Sequence, residues 1–343
     1  EIKFPPQDVL QLKSYYLSSS VHVDSIDYLI GYNYRLHSLD CMNLKSKSVT
    51  QIVLPGDGPD AIVRLSGIYA QSLDSVWISD ESERAFLIDS VGTIKRMIDL
   101  KKYLEDQEQL LINTNYAMFT SHLFYNASRH SLMFLVKHTP SNTFIVKEVF
   151  IDEVGKMATY QLSSSKVVPD MSKGYAYINF PNVNFVGENI VYNYPVESSI
   201  YMLDIRTNER KYILADSHYT SNIIEKCTTS GDYATLEKHW LENSHFYDIM
   251  YLPKYKIYAR LHADKVDFDE KKGMEKLINE RDLYLMLFDE NMEKIGETKL
   301  SNCRYSPFTS WNATYGGIAL FVDNVLDEKN NTDDLTIDII SLK

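Results

Sequence analysis

One short pattern recurs six times in this chain of 343 residues: a β-type run ends in an apolar residue followed by Asp, a polar turn comes next, and a second apolar run begins. It occurs at Ser38-Leu39-Asp40, Leu87-Ile88-Asp89, Phe150-Ile151-Asp152, Met202-Leu203-Asp204, Leu287-Phe288-Asp289 and Thr336-Ile337-Asp338. Asp suits such a place because its carboxylate accepts a hydrogen bond from the turn backbone two residues on and closes a hairpin tightly. Gly92, Gly155 and Gly296 lie just beyond three of these turns. The spacings are 49, 63, 52, 85 and 49 residues. A repeat of that size, with length varying in its loops, is a four-stranded sheet rather than a helical-solenoid unit. The pattern predicts an all-β chain: one domain over residues 1–343, folded as a six-bladed β-propeller with four-stranded blades.

The second repeat shows the unit best, with runs at Leu65–Ser72, Asp74–Asp80, Arg84–Asp89 and Thr93–Leu100 that are rich in β-branched and aromatic residues. The last repeat lacks chain for its outer strand, since only Ile339–Lys343 follow Asp338. The N-terminal segment Gln7–Leu17 is expected to supply that strand and close the ring, removing an exposed sheet edge. Two β-sandwich domains are the alternative, but no Pro/Gly/Ser-rich linker divides the chain and the Asp turn recurs in both halves. Two helical insertions are expected, at Lys101–Ile112 and at Asp232–Asn243. In the second, Tyr233, Leu236 and Trp240 fall at helical spacing behind Gly231 and Asp232, a stripe that packs on the propeller.

Charge narrows the partners. Lys and Arg total 35 against 47 Asp and Glu, a formal net charge of −12, which argues against nucleic acid or an anionic membrane surface. No run approaches the ~18 consecutive apolar residues of a membrane span. Cys41, Cys227 and Cys303 have neither CxxC nor CxxH spacing and read as small buried hydrophobes, so no metal site is expected from them. The chain opens at Glu1 rather than Met, so removal of an initiator or an export signal is expected.

The two ends of a propeller can be compared by loop length. Connections from the first to the second strand of each repeat, and from the third to the fourth, are tight: Gln71–Ser75, Asn126–His130, Val186–Glu188, Leu252–Tyr255 and the Asp turns. The others swell, at Lys101–Met118, Ser163–Tyr177, Ser217–Ser244, Ala263–Asp282 and Asp323–Asp334. Long loops on a rigid scaffold usually carry binding, which makes the long-loop face the candidate surface. Its rim is acidic: seven acids to five bases in Ala263–Asp282, and five to one in Asp323–Asp334. Such a rim disfavours phosphate-rich ligands and suits sugars or basic peptides.

The candidate ligand contacts are Asn33, Tyr34 and Arg35 in one turn, Arg64, His122 on an inner strand, Tyr194 and Tyr305. For His122 the sequence offers neither a carboxylate nor a nucleophile as partner, so it reads as a hydrogen-bonded channel residue. Asp327, Asn331 and Asp333 alternate like part of a calcium loop, but Lys329 sits at a ligand position and the sharp-turn Gly is missing. Gly56-Asp57-Gly58-Pro59 lacks the Lys or third Gly of a phosphate cradle and reads as a turn between blades. Serine hydrolase, kinase and dinucleotide signatures are absent too. No catalytic residue, metal or cofactor is assigned.

Four stretches carry a resemblance: Tyr32-Asn33; Gly56-Asp57-Gly58-Pro59 with Ile62; Ser72-Leu73-Asp74-Ser75-Val76-Trp77; and Leu287-Phe288-Asp289 with Gly296-Glu297-Thr298. Together they resemble domain-of-unknown-function family 4221, along essentially the whole chain. That resemblance implies a TolB-like six-bladed propeller from Gram-negative gut anaerobes, exported behind a signal peptide and anchored through a lipid-modified cysteine, hence periplasmic or at the cell surface. It carries no catalytic residue to any position here. Bacteria of this kind attach O-glycans at Asp-Ser/Thr-apolar triplets, and the chain has three: Asp24-Ser25-Ile26, Asp74-Ser75-Val76 and Asp89-Ser90-Val91.

The functional expectation is a monomeric cell-envelope binding or scaffold module that recognises a glycan, a peptide or an envelope protein through its long-loop face. The alternative is a metal-dependent hydrolase or lyase, lactonase-like or glycan-cleaving, with its site at the channel mouth.

Overall fold

The computed structural model describes residues 1–5, 12–111, 120–167, 175, 180–227, 232–329 and 333–342. Its strands form six antiparallel sheets around one channel, a six-bladed β-propeller. The inner strands are Ser18–Val23, Leu65–Ser72, Phe124–Asn126, Asn182–Val186, His245–Leu252 and Trp311–Thr314. The outer ones are Val49–Val53, Ile94–Asp99, Met157–Gln161, Arg210–Ile213, Lys294–Lys299 and Ile2–Phe4. In the second blade the four strands run at Leu65–Ser72, Ser75–Asp80, Arg84–Ile88 and Ile94–Asp99, within a residue of the sequence expectation.

Each pair of neighbouring blades encloses its own apolar core. Ile30, Leu39, Ile68 and Ile78 pack between the first and second blades. Val191, Ile200, Ile249 and Met286 do so between the fourth and fifth, and Phe4, Leu29, Phe321 and Leu335 between the sixth and first. A middle strand therefore buries both faces, as Val76–Asp80 does, while an outer strand such as Met157–Gln161 alternates exposed and half-buried residues. Stability is thus distributed around the ring rather than held in one centre.

The ring closes through the N-terminus, with a different segment from the one expected. Ile2–Phe4 pairs antiparallel with Leu335–Ile340, Phe4 lying opposite Leu335. Pro5 ends that strand, since proline donates no ladder hydrogen bond. Of the expected Gln7–Leu17, residues 7–11 lie outside the described residues and 12–17 run inward without strand structure. There the Tyr15 ring lies where a Cβ on Gly31 would sit, and its phenol donates to Asp40 at 2.7 Å.

The Asp turn holds as drawn in three blades. Asp89, Asp204 and Asp289 each accept the N–H two residues on, at 3.1, 2.8 and 2.9 Å. Asp152 instead pairs with Arg96 at 3.2 Å. Asp40 and Asp338 sit inside strands, Ser38–Asn43 and Leu335–Ile340. In the first blade the turn falls three residues later, at Asn43, whose Oδ1 accepts from Lys45 and Ser46 N–H. The six-fold count survives because an apolar-Asp pair in or just after the third strand need not cap the turn to mark the repeat.

Of the expected helices, Asp232–Asn243 appears as α1 (Tyr233–Leu241), with Asp232 capping the Thr235 N–H. The other is corrected. Lys101–Ile112 opens within a 3₁₀ turn, Leu100–Tyr103, and continues to a strand, Glu108–Leu110; Ile112 lies outside the described residues. The cause is tertiary: buried Lys147 takes Glu108 as its counter-ion and donates to the Tyr103 carbonyl at 2.7 Å, and both demands fix an extended chain there. A second helix, α2 (Met274–Asn279), lies within Ala263–Asp282 and was not expected. No helix among the described residues is long and apolar enough to cross a membrane. Cys41 is buried as expected, while Cys227 and Cys303 are only half-buried.

Candidate functional site

The strand limits reproduce the loop asymmetry: hairpins such as Val23–Ile26 and Val186–Asn189 are tight, whereas α1 and α2 both sit in connections on the opposite face. The central cavity, about 410 Å³, nevertheless opens on the tight-turn side. Its walls are the later residues of the inner strands and the turns that follow them, Gly187, Pro253 and Tyr315 among them.

All six blades contribute to this bowl, and its chemistry is uniform. Aromatic rings stand around it: Phe124 stacks on Phe185 at 5.0 Å and meets Tyr69 edge-on at 5.2 Å, and His22 stacks on Tyr315 at 4.2 Å. Between the rings are the amides and hydroxyls of Asn184, Asn312, Ser19 and Ser20. None of the described lining residues is Asp, Glu, Lys or Arg, although such residues make up 24% of the chain. Asp27 stands behind the rim, where it accepts from His22 at 2.7 Å and from the Tyr315 and Gly316 N–H groups.

His122 lines the bowl and does have a carboxylate partner, contrary to the sequence expectation. Its Nε2 lies 2.8 Å from Asp248 Oδ2, 126 positions away in the chain. The pairing arises from two irregularities. The inner strand of the third blade is split, Glu108–Leu110 and Phe124–Asn126 both pairing with Ser131–His138, and Thr120–His122 crosses to the fourth blade, where the Val183 N–H donates to the Thr120 carbonyl at 2.8 Å. On the fifth blade a β-bulge between Phe246 and Ile249 turns Asp248 inward. Asp248 is 1% exposed and its Oδ1 has no partner among the described residues.

The expected ligand contacts separate into groups. Tyr34, Arg35 and Arg64 meet on the long-loop face: Arg35 lies over Tyr34 at 5.9 Å, Tyr34 is 5.7 Å from Tyr16, and Arg64 covers Tyr16 at 5.9 Å. Tyr34 and Arg64 border an open cleft of about 790 Å³ with Tyr32, His37 and Gly56. Asn33 is fully buried beneath them, donating to Asp40 at 2.9 Å and accepting from the Arg35 N–H. Tyr194 lies in the core between the third and fourth blades, its hydroxyl donating to the Ser163 carbonyl at 2.8 Å. Tyr305 sits at the ring closure and donates to Asp338 at 2.8 Å.

Sequence reading missed Asn184, Asn312, Phe124, Tyr315 and Asp248. A signal for some of them was present. Ser18, Ser20 and His22, then Asn182 and Asn184, then Asn312 and Thr314 are polar residues at alternate positions of the first run in a repeat, the pleat that faces a channel. The position of Asp248 depends on a bulge that no periodicity announces.

Of the remaining motifs, Gly56–Pro59 is the expected inter-blade turn, with Gly58 at φ +89°. Asn331 lies outside the described residues, and Asp327 accepts from the Lys329 N–H at 3.0 Å. Ser90 donates to Asp74 at 2.7 Å in an exposed turn. Part of the acidic rim is neutralised locally, by Lys272 on Glu280 and Lys299 on Asp282, each at 2.7 Å.

Six four-stranded blades closed by an N-terminal strand around a central bowl define a six-bladed β-propeller. Residues 7–299 match the domain of unknown function DUF4221, and the chain belongs to that family. A crystal structure of a DUF4221 member from Bacteroides vulgatus is similar over 99% of this chain and 97% of its own, with 14% identity and a TM-score of 0.79. A Bacteroides fragilis protein inferred to be exported is similar over 99% and 94%, with 13% identity and a TM-score of 0.57. At such identities the likeness is one of fold. No curated protein matches the chain.

Proposed function

We propose that this DUF4221 propeller is an exported binding module that takes a neutral, hydroxyl-rich ligand, a short glycan, in its central bowl. One observation carries the reading: a cavity assembled by all six blades presents aromatic faces, amides and hydroxyls, and no Asp, Glu, Lys or Arg among its described lining residues. Sugar rings bury their C–H faces on aromatic planes and exchange hydroxyl hydrogen bonds with Asn, Ser and His, so the lining matches such a ligand in both respects. Peptides and phosphorylated ligands fit less well. A peptide backbone calls for an exposed strand edge or a charged anchor, and a phosphate would meet a chain of net charge −12 with no cation in the bowl.

This places the ligand on the face opposite the long loops, whose Tyr34–Arg64 cleft is the competing surface for a glycan, peptide or envelope protein. Export is supported by the kinship with a Bacteroides protein inferred to be exported, and a periplasmic or surface lipoprotein is the form of export in keeping with the family resemblance. A glycan array followed by calorimetry tests the site. Tyr315→Ala, on the exposed rim, is expected to weaken a captured glycan about tenfold, with Tyr34→Ala and Arg64→Ala leaving it unchanged. The reverse pattern would move the site to the long-loop face.

A further inference from the structure

The long-loop face holds a second cleft, about 860 Å³, between the loop Ser217–Cys227, α1 and the chain after Ala263. Thr220 lines it. The Thr220 Oγ1 lies 3.2 Å from Nδ1 of His262, and His262 Nε2 lies 3.1 Å from Oε1 of Glu297. The imidazole is fully buried, sandwiched between Phe246 at 5.5 Å and Tyr284 at 5.0 Å, so only the hydroxyl end of this relay reaches the cleft.

The protons can be placed. Burial opposes the Glu297 charge, but hydrogen bonds from His262, Ser217, the His218 N–H and Lys294 outweigh it and hold the carboxyl well below its usual range. Burial pushes the His262 imidazole down, against the pull of Glu297, so the ring is neutral. A neutral ring facing a carboxylate through Nε2 carries its proton there, which leaves the Nδ1 lone pair to accept from the Thr220 hydroxyl. A hydroxyl, a base within hydrogen-bond reach and a third group that orients the base are the arrangement of an activated nucleophile. The loop does not need this contact to stay in place. Ser217 already donates to Glu297 at 2.6 Å and accepts from the Tyr219 and Thr220 N–H groups, and Tyr219 stacks on Tyr284 at 4.9 Å.

We propose that Thr220 is the nucleophile of an acyl-transfer site acting on a small O-acyl ester, with His262 as its general base and Glu297 as the positioning residue. Thr220 Oγ1 attacks the ester carbonyl carbon while its proton passes to His262 Nδ1. The tetrahedral adduct collapses, the C–O bond to the alcohol breaks, and the alcohol leaves with that proton. A water molecule then gives its proton to His262 and its hydroxyl to the acyl carbon. Collapse releases the carboxylic acid and returns the proton to Thr220, so the balance is ester plus water to acid plus alcohol.

The test uses the full chain and p-nitrophenyl acetate, with peptide mapping by mass spectrometry. Turnover above buffer and an acetyl mark on the Thr220 peptide are expected. Thr220→Val, nearly isosteric and partly exposed, should lower turnover about 100-fold and Thr220→Ser should retain it. Glu297→Gln should lower kcat and leave KM unchanged, a split that a merely structural role would not produce. Absence of turnover and mark from the full chain, an acetyl mark confined to other residues, or turnover equal in Thr220→Val would each overturn the proposal. Glycan capture in the bowl is read separately and on different variants.

Discussion

Arg304 and Glu1 stand 303 positions apart in sequence and 2.7 Å apart in the fold. The same guanidinium binds Asp338 in the strand that Ile2–Phe4 completes, and Tyr305 donates to that carboxylate as well. The two chain ends are therefore fastened by a strand ladder and by a half-buried ionic clasp laid across it. Arg304→Ala leaves Asp338 with only the Glu1 ammonium, 3.9 Å away, as cation and is expected to cost about 1–3 kcal/mol. Phe4→Ala, which empties a fully buried site between the first and last blades, is expected to cost about 3–5 kcal/mol. Thermal denaturation with hydrogen exchange of Leu335–Ile340 checks both. Unchanged protection of that strand in Arg304→Ala would show that the ladder alone closes the ring.

His122 and Asp248 give the bowl a fixed hydrogen-bonding sense. A carboxylate at Nε2 selects the tautomer protonated there, so Nδ1 is left as an acceptor for a ligand hydroxyl. Asp248→Asn removes a buried charge whose second oxygen has no partner, so the fold should tolerate it, yet the amide no longer dictates the tautomer. A loss of about tenfold in glycan affinity is expected. The ¹⁵N shifts of the His122 ring should report a single Nε2–H form in the wild type and a mixture in the variant. One tautomer in both would remove Asp248 from recognition.

How much of this was legible beforehand follows from what each feature depends on. The six blades rest on local chemistry repeated along the chain, so the apolar-Asp pairs and the runs of the second blade disclosed them. The closing strand was placed too late because Ile2–Phe4 is only three residues long and its pairing with Leu335–Ile340 is entirely non-local. The helix expected at Lys101–Ile112 yielded to Lys147, a buried cation whose needs appear only once the third blade is assembled. Tyr34 and Arg64 were each legible as polar or aromatic residues of a loop, whereas Asp248 reaches His122 through a bulge on another blade. Period-two polarity in the inner strands would have exposed Asn184 and Asn312, a pattern visible only after those runs are assigned to the channel.

Burial pushes the Asp323 carboxyl up to about 6, against hydrogen bonds from Ser14, the Ser306 N–H and Thr309. The folded state then holds a proton at pH values where the unfolded chain has released it. The associated stability is fully present below about pH 4 and is lost as the pH rises through about 6. Because the side chain is partly exposed, the loss is about 1–3 kcal/mol. Asp323→Asn keeps an oxygen toward the Ser306 N–H and cannot ionise. The gap between variant and wild-type unfolding free energies, measured by urea denaturation from pH 4 to pH 8, should widen in favour of the variant. A constant gap would show that Asp323 titrates as an ordinary carboxylate.

The three cysteines differ in access, and alkylation should rank them. None is in a disulfide. Burial, with Asp40 beside it, pushes the Cys41 thiol up to about 12, and that thiol lies within the core between the first and second blades. The Cys303 thiol is half-buried, raised by burial and then by Asp282, Glu280 and Asp327. Cys227 is half-buried too, at the edge of the Thr220 cleft. The reactive species is the thiolate, so iodoacetamide on folded protein at pH 8 should label Cys227 first and Cys303 more slowly, and should reach Cys41 only in denaturant. Mass spectrometry of the peptides over time reads the order directly. Labelling of Cys41 in the native protein at a rate matching Cys227 would mean that the seam between the first two blades opens, which the continuous packing of Ile30, Leu39, Ile68 and Ile78 argues against.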